Sequence, residues 1–230
     1  MTIKIKNLSF SYKDNPIFQN LNAEFENEKV NYLIGYNGAG KSTLFDLISD
    51  LQTQYSGEID GVPSKNEILY QTQNPVIFGA LTGQDLQNFV FGISAQHQTI
   101  DPEQLSPHFK ELYQRLMKRK VGKMSVGERR WLLLFLESHL NKKLFLLDEP
   151  LSGVDPVSKV QIEKVINDLV QRKDHLVIVT THELNYMTKQ DCYIHLLHNG
   201  EIRSFASYDD FVAASDKKDP EEAFAKLVGA

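Results

Sequence analysis

Two stretches near the start of the chain alternate between apolar and polar residues, and this alternation predicts half-buried antiparallel strands. The apolar positions are Ile3, Ile5 and Leu8 in the first stretch and Leu21, Ala23 and Phe25 in the second. Lysine, asparagine and glutamate occupy the positions between them. The sequence Asp14-Asn15-Pro16 is typical of a turn and separates the two predicted strands.

Short apolar runs further along the chain predict buried strands. They cover residues 30–34, 144–147 and 176–180, and weaker, turn-rich strand patterns cover residues 56–61 and 67–71. Residues 193–197 and 201–205 predict a hairpin, because Asn199-Gly200 is a favoured two-residue turn.

Between residues 76 and 140 the apolar spacing is helical, with little strand signal. The predicted helices there are Gly83 to Phe91, Pro102 to Lys118 and Gly127 to Leu140. Two later helices are predicted from an aspartate followed by a proline, at Asp155-Pro156 and at Asp219-Pro220.

Residues 35–42 follow the pattern G-x-x-x-x-G-K-S, the phosphate-binding loop, between a predicted strand and a helical pattern. Such a loop aims backbone N–H groups and a helix N-terminus at a polyphosphate. Lys41 would reach the β- and γ-phosphates, and the Ser42 hydroxyl would bind Mg²⁺. The residues expected to contact the nucleotide are Gly35, Asn37, Gly38, Ala39, Gly40, Lys41, Ser42 and Thr43.

Two later strands end in polar residues that suit chemistry on a phosphate. The strand at 144–147 runs into Asp148 and Glu149, and the strand at 176–180 is followed by His182. We expect Asp148 to hold Mg²⁺ directly or through water, and Glu149 to activate a water for attack on the γ-phosphate. His182 is predicted to act at the site because ligands of α/β proteins bind at the carboxyl ends of core strands.

The predicted fold class is therefore α/β: a phosphate-loop core with an N-terminal antiparallel element and an inserted helical subdomain. Residues 1–75 and 141–230 would form the core, and residues 76–140 the helical subdomain of this single domain. The net charge of −5 over 230 residues gives no general argument for nucleic-acid binding. The single cysteine, Cys192, excludes an internal disulfide and fits a reducing compartment.

Over nearly its whole length the chain resembles the nucleotide-binding domain of ABC ATPases. Beside the phosphate loop and the paired carboxylates, Tyr12 fits the aromatic residue that stacks on adenine. Gln73 fits the glutamine that reaches Mg²⁺ and the attacking water, although Gln71 competes with it for that role. His182 resembles the switch histidine of the family.

Two further short stretches of the sequence also resemble motifs of this family. Met124-Ser125-Val126-Gly127-Glu128 fits the signature, usually Leu-Ser-Gly-Gly-Gln, and Ser152-Gly153-Val154-Asp155 fits the loop that crosses to a partner subunit. In the family, Ser125, Gly127, Glu128 and Asp155 would belong to the site of ATP bound to the other chain. Ser125-x-x-Glu128 is also a capping box, and Val126 is unstrained if it opens the helix in right-handed geometry.

The resemblance implies ATP and Mg²⁺ as cofactors and a head-to-tail dimer of two nucleotide-binding domains, either identical or paralogous. It also implies an integral membrane subunit on a separate chain, so that this protein lies at the cytoplasmic face of the cell membrane. We therefore expect the ATP-hydrolysing subunit of a transporter, with export favoured by the lack of an added regulatory domain after the final hairpin.

Two alternative functions remain open at this stage. One is an ABC-type ATPase of nucleic-acid repair, translation or cluster assembly, and the other is a weakly hydrolysing regulator, suggested by Val126. Residues 110–130 contain eight basic and two acidic residues, which could meet nucleic acid or lipid headgroups. We interpret this stretch as a solvated helix face and expect no nucleic-acid partner.

Overall fold

The computed structural model describes residues 1–93, 99–184, 187 and 191–229. By contacts between Cα atoms the chain divides into two compact units. The first contains residues 1–73, 142–152 and 170–230, and the second contains residues 74–141 and 153–169. The second unit thus includes residues 153–169, which the sequence-based division had assigned to the core.

The first unit contains two sheets. A three-stranded antiparallel sheet has the order β2-β1-β4, and a six-stranded sheet has the order β5-β6-β7-β3-β8-β9. The strands are β1 (Thr2–Tyr12), β2 (Asn15–Glu26), β3 (Val30–Ile34), β4 (Ser56–Asp60), β5 (Ile68–Gln71), β6 (Leu144–Asp148), β7 (Leu176–Thr181), β8 (Cys192–His198) and β9 (Glu201–Phe205).

All neighbours in the six-stranded sheet are parallel except β9, which returns antiparallel to β8 as the predicted hairpin. β3, β6 and β7 are buried along their whole length, as their apolar runs predict. Because these strands are parallel, their carboxyl ends meet at one edge, where the phosphate loop, Asp148 and the residues after β7 come together. The predicted α/β fold class is confirmed.

The core of the first unit contains apolar side chains from both sheets and from the helix after the phosphate loop. Its members include Ile3 and Phe25 of the antiparallel sheet, Leu33 and Leu146 of the parallel sheet, and Phe45. The antiparallel pairing of β1 with β2 brings Ile3 opposite Phe25, which confirms the two half-buried strands predicted from alternation.

The helices are α1 (Lys41–Ile48), α2 (Gly83–Ile93), α3 (Pro107–Met117), α4 (Val126–Glu137), α5 (Pro156–Val170), α6 (Tyr208–Val212) and α7 (Pro220–Val228). Among the described residues, none of these helices combines the length and apolar character needed to cross a bilayer.

The prediction of one helix from Pro102 to Lys118 is wrong. A short 3₁₀ turn, Pro102–Gln104, precedes a break, and α3 begins only at Pro107. Proline has no N–H group and disfavours helical geometry at the residue before it, so Ser106 is extended and the helix starts afresh. The helix predicted at 127–140 runs instead from Val126 to Glu137.

Candidate functional site

An open polar cavity of about 530 Å³ lies beside the phosphate loop in the first unit. On one side it is lined by the loop and the start of α1, through Asn37, Gly38, Gly40, Lys41, Ser42 and Thr43. Other lining residues are Gln73, Asp148, Glu149, Ser152 and His182. The structure therefore brings most of the predicted loop residues together with all the predicted catalytic and metal-binding residues.

The loop geometry follows from its glycines. Gly38 has φ of 83° and Gly40, the N-cap of α1, has φ of 105°, in the left-handed region that side chains disfavour. These two glycines lie between the end of β3 at Ile34 and the start of α1 at Lys41, where the chain turns. The first residues of α1 line the cavity, and their N–H groups have no partners within the helix, a geometry that suits an anion.

Lys41 lies inside the loop. Its Nζ donates hydrogen bonds to the carbonyl oxygens of Gly35, at 2.9 Å, and Tyr36, at 3.1 Å. Burial lowers the pKa of Lys41, and the nearby carboxylates of Glu149 and Asp148 act in the opposite direction. The ammonium is thus held in place beside the cavity by two carbonyl groups that phosphate oxygens could replace.

Asp148 ends β6 and joins the phosphate loop to β7. Its Oδ2 accepts a hydrogen bond of 2.7 Å from the Ser42 hydroxyl, and its Oδ1 accepts one from the Thr180 hydroxyl. Two of the three predicted Mg²⁺ ligands, Ser42 and Asp148, are therefore in direct contact.

Glu149 has both carboxylate oxygens engaged by the other two predicted catalytic residues. Gln73 Nε2 donates to Oε2 at 2.7 Å, and His182 Nδ1 lies 3.2 Å from Oε1. The competing Gln71 is a buried residue of β5. Glu149 has φ of 48°, unusual for a residue with a side chain, and its N–H donates to Thr180 Oγ1 at 2.8 Å.

Sequence reasoning missed Thr180, which contacts both Asp148, the last residue of β6, and the backbone of Glu149. One hydroxyl accepts from the Glu149 N–H and donates to Asp148. A usable signal was present, since a polar residue in an otherwise apolar strand, two positions before His182, requires a buried partner. The cavity is also lined by Ser152, which the sequence analysis placed in the crossing loop, and by Ile17, for which the sequence offered no such signal.

Three of the predicted nucleotide contacts in the first unit, Gly35, Ala39 and Tyr12, lie outside the cavity lining. Gly35 and Ala39 support the loop from within, and the Ala39 N–H donates to the Tyr36 carbonyl at 3.1 Å. Tyr12, the last residue of β1, is 44% exposed, and its ring meets Phe10 edge-to-face with centroids 4.8 Å apart. An exposed ring of this kind is available for stacking on a base.

Replacing Tyr12 with alanine is expected to weaken ATP binding by about 1–3 kcal/mol, because a stacked base loses its aromatic platform. A titration with ATP measures the change in dissociation constant. Tyr12→Phe keeps the ring and should bind ATP like the natural protein. An unchanged affinity in Tyr12→Ala would leave Tyr12 with only its contact to Phe10.

The signature residues lie in the second unit, at the start of α4. The predicted capping box is confirmed: Ser125 Oγ accepts from the Glu128 N–H at 3.1 Å, and the Glu128 carboxylate accepts from the Ser125 N–H at 2.8 Å. The same carboxylate is paired with Arg115 at 2.6 Å and Arg119 at 3.1 Å. Burial raises the pKa of Glu128, but the Ser125 N–H and the two arginines outweigh it and hold this pKa below its usual range.

These ion pairs also bear on the basic stretch at residues 110–130. Besides Arg115 and Arg119, Lys110 is paired with Glu103 at 2.6 Å. Part of the local positive charge is therefore neutralised by neighbouring carboxylates.

Gly127 and Asp155 are close neighbours within the second unit. A Cβ atom on Gly127 would lie 2.3 Å from Ser158 Oγ, so a side chain at this position of α4 has no room. Asp155 caps α5, and its Oδ1 accepts from the N–H groups of Val157 at 3.1 Å and Ser158 at 3.0 Å. Val126 opens α4 without positive φ, so its branched side chain causes no backbone strain.

The fold and the cavity define a phosphate-loop nucleotide-binding protein. The family model described as ABC transporter matches residues 18–152, more than half of the chain. The chain therefore belongs to the ABC transporter family, and it is an ATP-binding subunit of the kind that hydrolyses ATP to power transport.

Two curated relatives and one solved structure illustrate the similarity. The chain is 28% identical to Protein McbF of Escherichia coli, over 94% of this chain and 90% of that protein. It is 29% identical to the energy-coupling factor transporter ATP-binding protein EcfA1 of Thermotoga maritima, over 92% and 84%. A solved ATP-binding subunit of an ABC transporter shares its fold with a TM-score of 0.78 and 21% identity, over 99% of each chain.

Proposed function

We propose that the cavity beside the phosphate loop binds ATP with Mg²⁺ and hydrolyses it, and that this hydrolysis powers a transporter whose membrane-spanning subunit is a separate chain. The observation that carries the proposal is the convergence of Gln73 and His182 on the carboxylate of Glu149, beside the loop that holds Lys41.

The residues at the cavity fit Mg²⁺. The Ser42 hydroxyl, the Asp148 carboxylate and the Gln73 amide supply oxygen atoms, the ligands that this cation prefers, and leave room for water and phosphate. The contact between Ser42 Oγ and Asp148 Oδ2 supports the fit, because the two oxygen atoms already lie 2.7 Å apart. Bound Mg²⁺ would neutralise charge on the phosphate oxygens.

Glu149 would accept the proton of a water that attacks the γ-phosphate. Its carboxylate is 8% exposed, so it faces little competition from solvent, and Gln73 and His182 fix its orientation. His182 would also contact the γ-phosphate. It would thereby link the γ-phosphate to the Glu149 carboxylate, which it already contacts. Lys41 and the N–H groups of the loop would stabilise negative charge on the phosphates.

A second nucleotide-binding domain would complete each ATP site. In this arrangement Ser125 and Gly127 of one copy would face the nucleotide on the loop of the other, and Asp155 would lie at the crossing between copies. The exposed hydroxyl of Ser125 at the N-terminus of α4 supports this role, because a helix N-terminus favours a phosphate group. ATP held between two copies would favour the closed dimer, and hydrolysis would release it.

An apolar groove in the second unit supports the proposal that a membrane subunit binds this protein. Its volume is about 260 Å³, and its lining includes Phe78, Phe89, Ile93, Leu133 and Leu140. Phe78 is 63% exposed and Ile93 is 70% exposed, which is costly for a surface without a partner. In ABC transporters such a groove receives a cytoplasmic helix of the membrane subunit, and this contact would hold the protein at the cytoplasmic face of the membrane.

The groove gives the experiment that tests this proposal. Tagged protein extracted in mild detergent should retain a polytopic membrane protein, and Phe89→Asp should lose it because a charge enters the apolar contact. Val157→Asp is the matched control, since Val157 is also exposed and apolar in the second unit but lies outside the groove.

Three outcomes would contradict this part of the proposal. They are capture of no membrane protein, equal capture by Phe89→Asp, and capture of nucleic acid or a purely soluble complex. The sequence of a captured membrane subunit would also test the prediction of export, because contacts with the cargo belong to that subunit.

A further inference from the structure

The ring of Tyr36, the second residue of the phosphate loop, packs against the C-terminal helix α7. Its centroid lies 4.9 Å from that of Phe224, with an angle of 82° between the rings, the edge-to-face geometry of a favourable aromatic pair. The His198 ring, at the end of β8, lies 6.4 Å from it. A small cavity of about 270 Å³ is lined by Tyr36, Phe224, Glu221 and His182.

The backbone of the same residue contacts the lysine of the loop. The Tyr36 carbonyl accepts hydrogen bonds from Lys41 Nζ and from the Ala39 N–H, both at 3.1 Å. Tyr36 is therefore held at its ring by α7 and at its carbonyl by the side chain that would bind phosphate.

Tyr36, Asn37 and Gly38 are exposed, and Gly38 and Gly40 are conformationally permissive residues with positive φ. A contact that fixes the Tyr36 side chain therefore restricts the loop before the nucleotide binds, and ordering before binding strengthens affinity.

α7 is itself well anchored. The Asp219 carboxylate caps it by accepting from the Glu222 N–H at 2.8 Å, and Ser215 Oγ donates to the Glu222 carboxylate at 3.0 Å. Pro220 and Ala223 are buried. The helix therefore has its own attachments, and loss of the Phe224 ring would leave it in place.

We propose that Phe224 is a positioning residue for the nucleotide site: through the ring of Tyr36, helix α7 holds the phosphate loop in its binding geometry. The inference rests on the proposed binding of ATP by this loop. It makes the C-terminal helix part of the machinery that determines ATP affinity, although α7 contributes no residue to the cavity that would hold the phosphates.

The test compares ATP dissociation constants of variants with matched thermal unfolding midpoints. Phe224→Ala should bind ATP about two- to tenfold more weakly, the range expected for loss of one aromatic pair. Leu227→Ala removes a similarly half-buried side chain from the same helix and should bind like the natural protein. Phe224→Tyr keeps the ring and should also do so.

A double-mutant cycle assigns the effect to the pair. If Phe224 acts through Tyr36, Tyr36→Leu and Phe224→Ala together should weaken binding no more than Tyr36→Leu alone. Natural-type affinity in Phe224→Ala, or additive effects in the double variant, would overturn the inference while leaving ATP binding intact. Failure of the unmutated protein to bind ATP would instead overturn the proposed function as well.

Discussion

Glu149→Gln is expected to lower the rate of ATP hydrolysis by at least about a hundredfold, the typical contribution of a general base. The amide keeps the shape of the side chain but cannot accept the proton of the attacking water. ATP affinity should be retained, because Lys41 and the loop are unchanged. Phosphate release at saturating ATP and a separate nucleotide titration measure the two quantities.

Glu183→Gln is the matched control for this substitution. Glu183 follows His182 and is half-buried, but it does not line the cavity beside the phosphate loop. It should therefore leave turnover unchanged. Hydrolysis at the natural rate by Glu149→Gln would refute the assignment of the base, whatever the control shows.

Lys41→Ala is expected to abolish measurable nucleotide binding, with a loss of affinity of about a hundredfold or more. Hydrogen bonds from a charged donor contribute about 1.5–3 kcal/mol each, and the ammonium would contact more than one phosphate oxygen. Titration with ATP at fixed Mg²⁺ measures the loss.

Two further variants separate this effect from a loss of stability. Lys41→Met keeps the buried stem and removes only the charge, so it should fold like the natural protein and still fail to bind. Lys143→Ala removes an exposed lysine that is paired with Glu67 at 2.6 Å and lies at the opposite end of β6 from Asp148, and it should bind normally. Tight ATP binding by Lys41→Met would contradict the role of the ammonium.

The position of the cluster proposed to be catalytic was predictable because it depends on strand ends. An apolar strand that ends in Asp148-Glu149 and another that ends before His182 are visible in the sequence, and parallel pairing places both ends at one edge. The choice between Gln71 and Gln73 depends on the path of the chain after β5. The structure shows Gln73 donating to Glu149, which agrees with the preference for Gln73.

Local signals also gave the capping box at Ser125, since both partners lie within one turn of helix. Local signals did not predict every helix correctly. The sequence analysis overlooked the break in the helical stretch 102–118, although Pro107 signals it, and it did not predict α6 (Tyr208–Val212) at all. A helix of five residues is too short to show a periodic pattern.

The contacts that could not be predicted join residues distant in the sequence. In the sequence, Tyr36 is a residue of the phosphate loop and Phe224 is an apolar position of a terminal helix. Only the folded chain brings their rings together. Likewise, the sequence shows Arg115 and Arg119 only as part of a basic stretch, whereas in the structure both are paired with Glu128. Pairing of this kind depends on tertiary packing.

The most direct test of the central claim, that ATP binds at the Lys41 loop and is hydrolysed at Glu149, is the chemical identity of the nucleotide retained after incubation with ATP and Mg²⁺. The account predicts intact ATP on Glu149→Gln, ADP on the natural protein and no nucleotide on Lys41→Met. ADP on Glu149→Gln in the same amount as on the natural protein would contradict it.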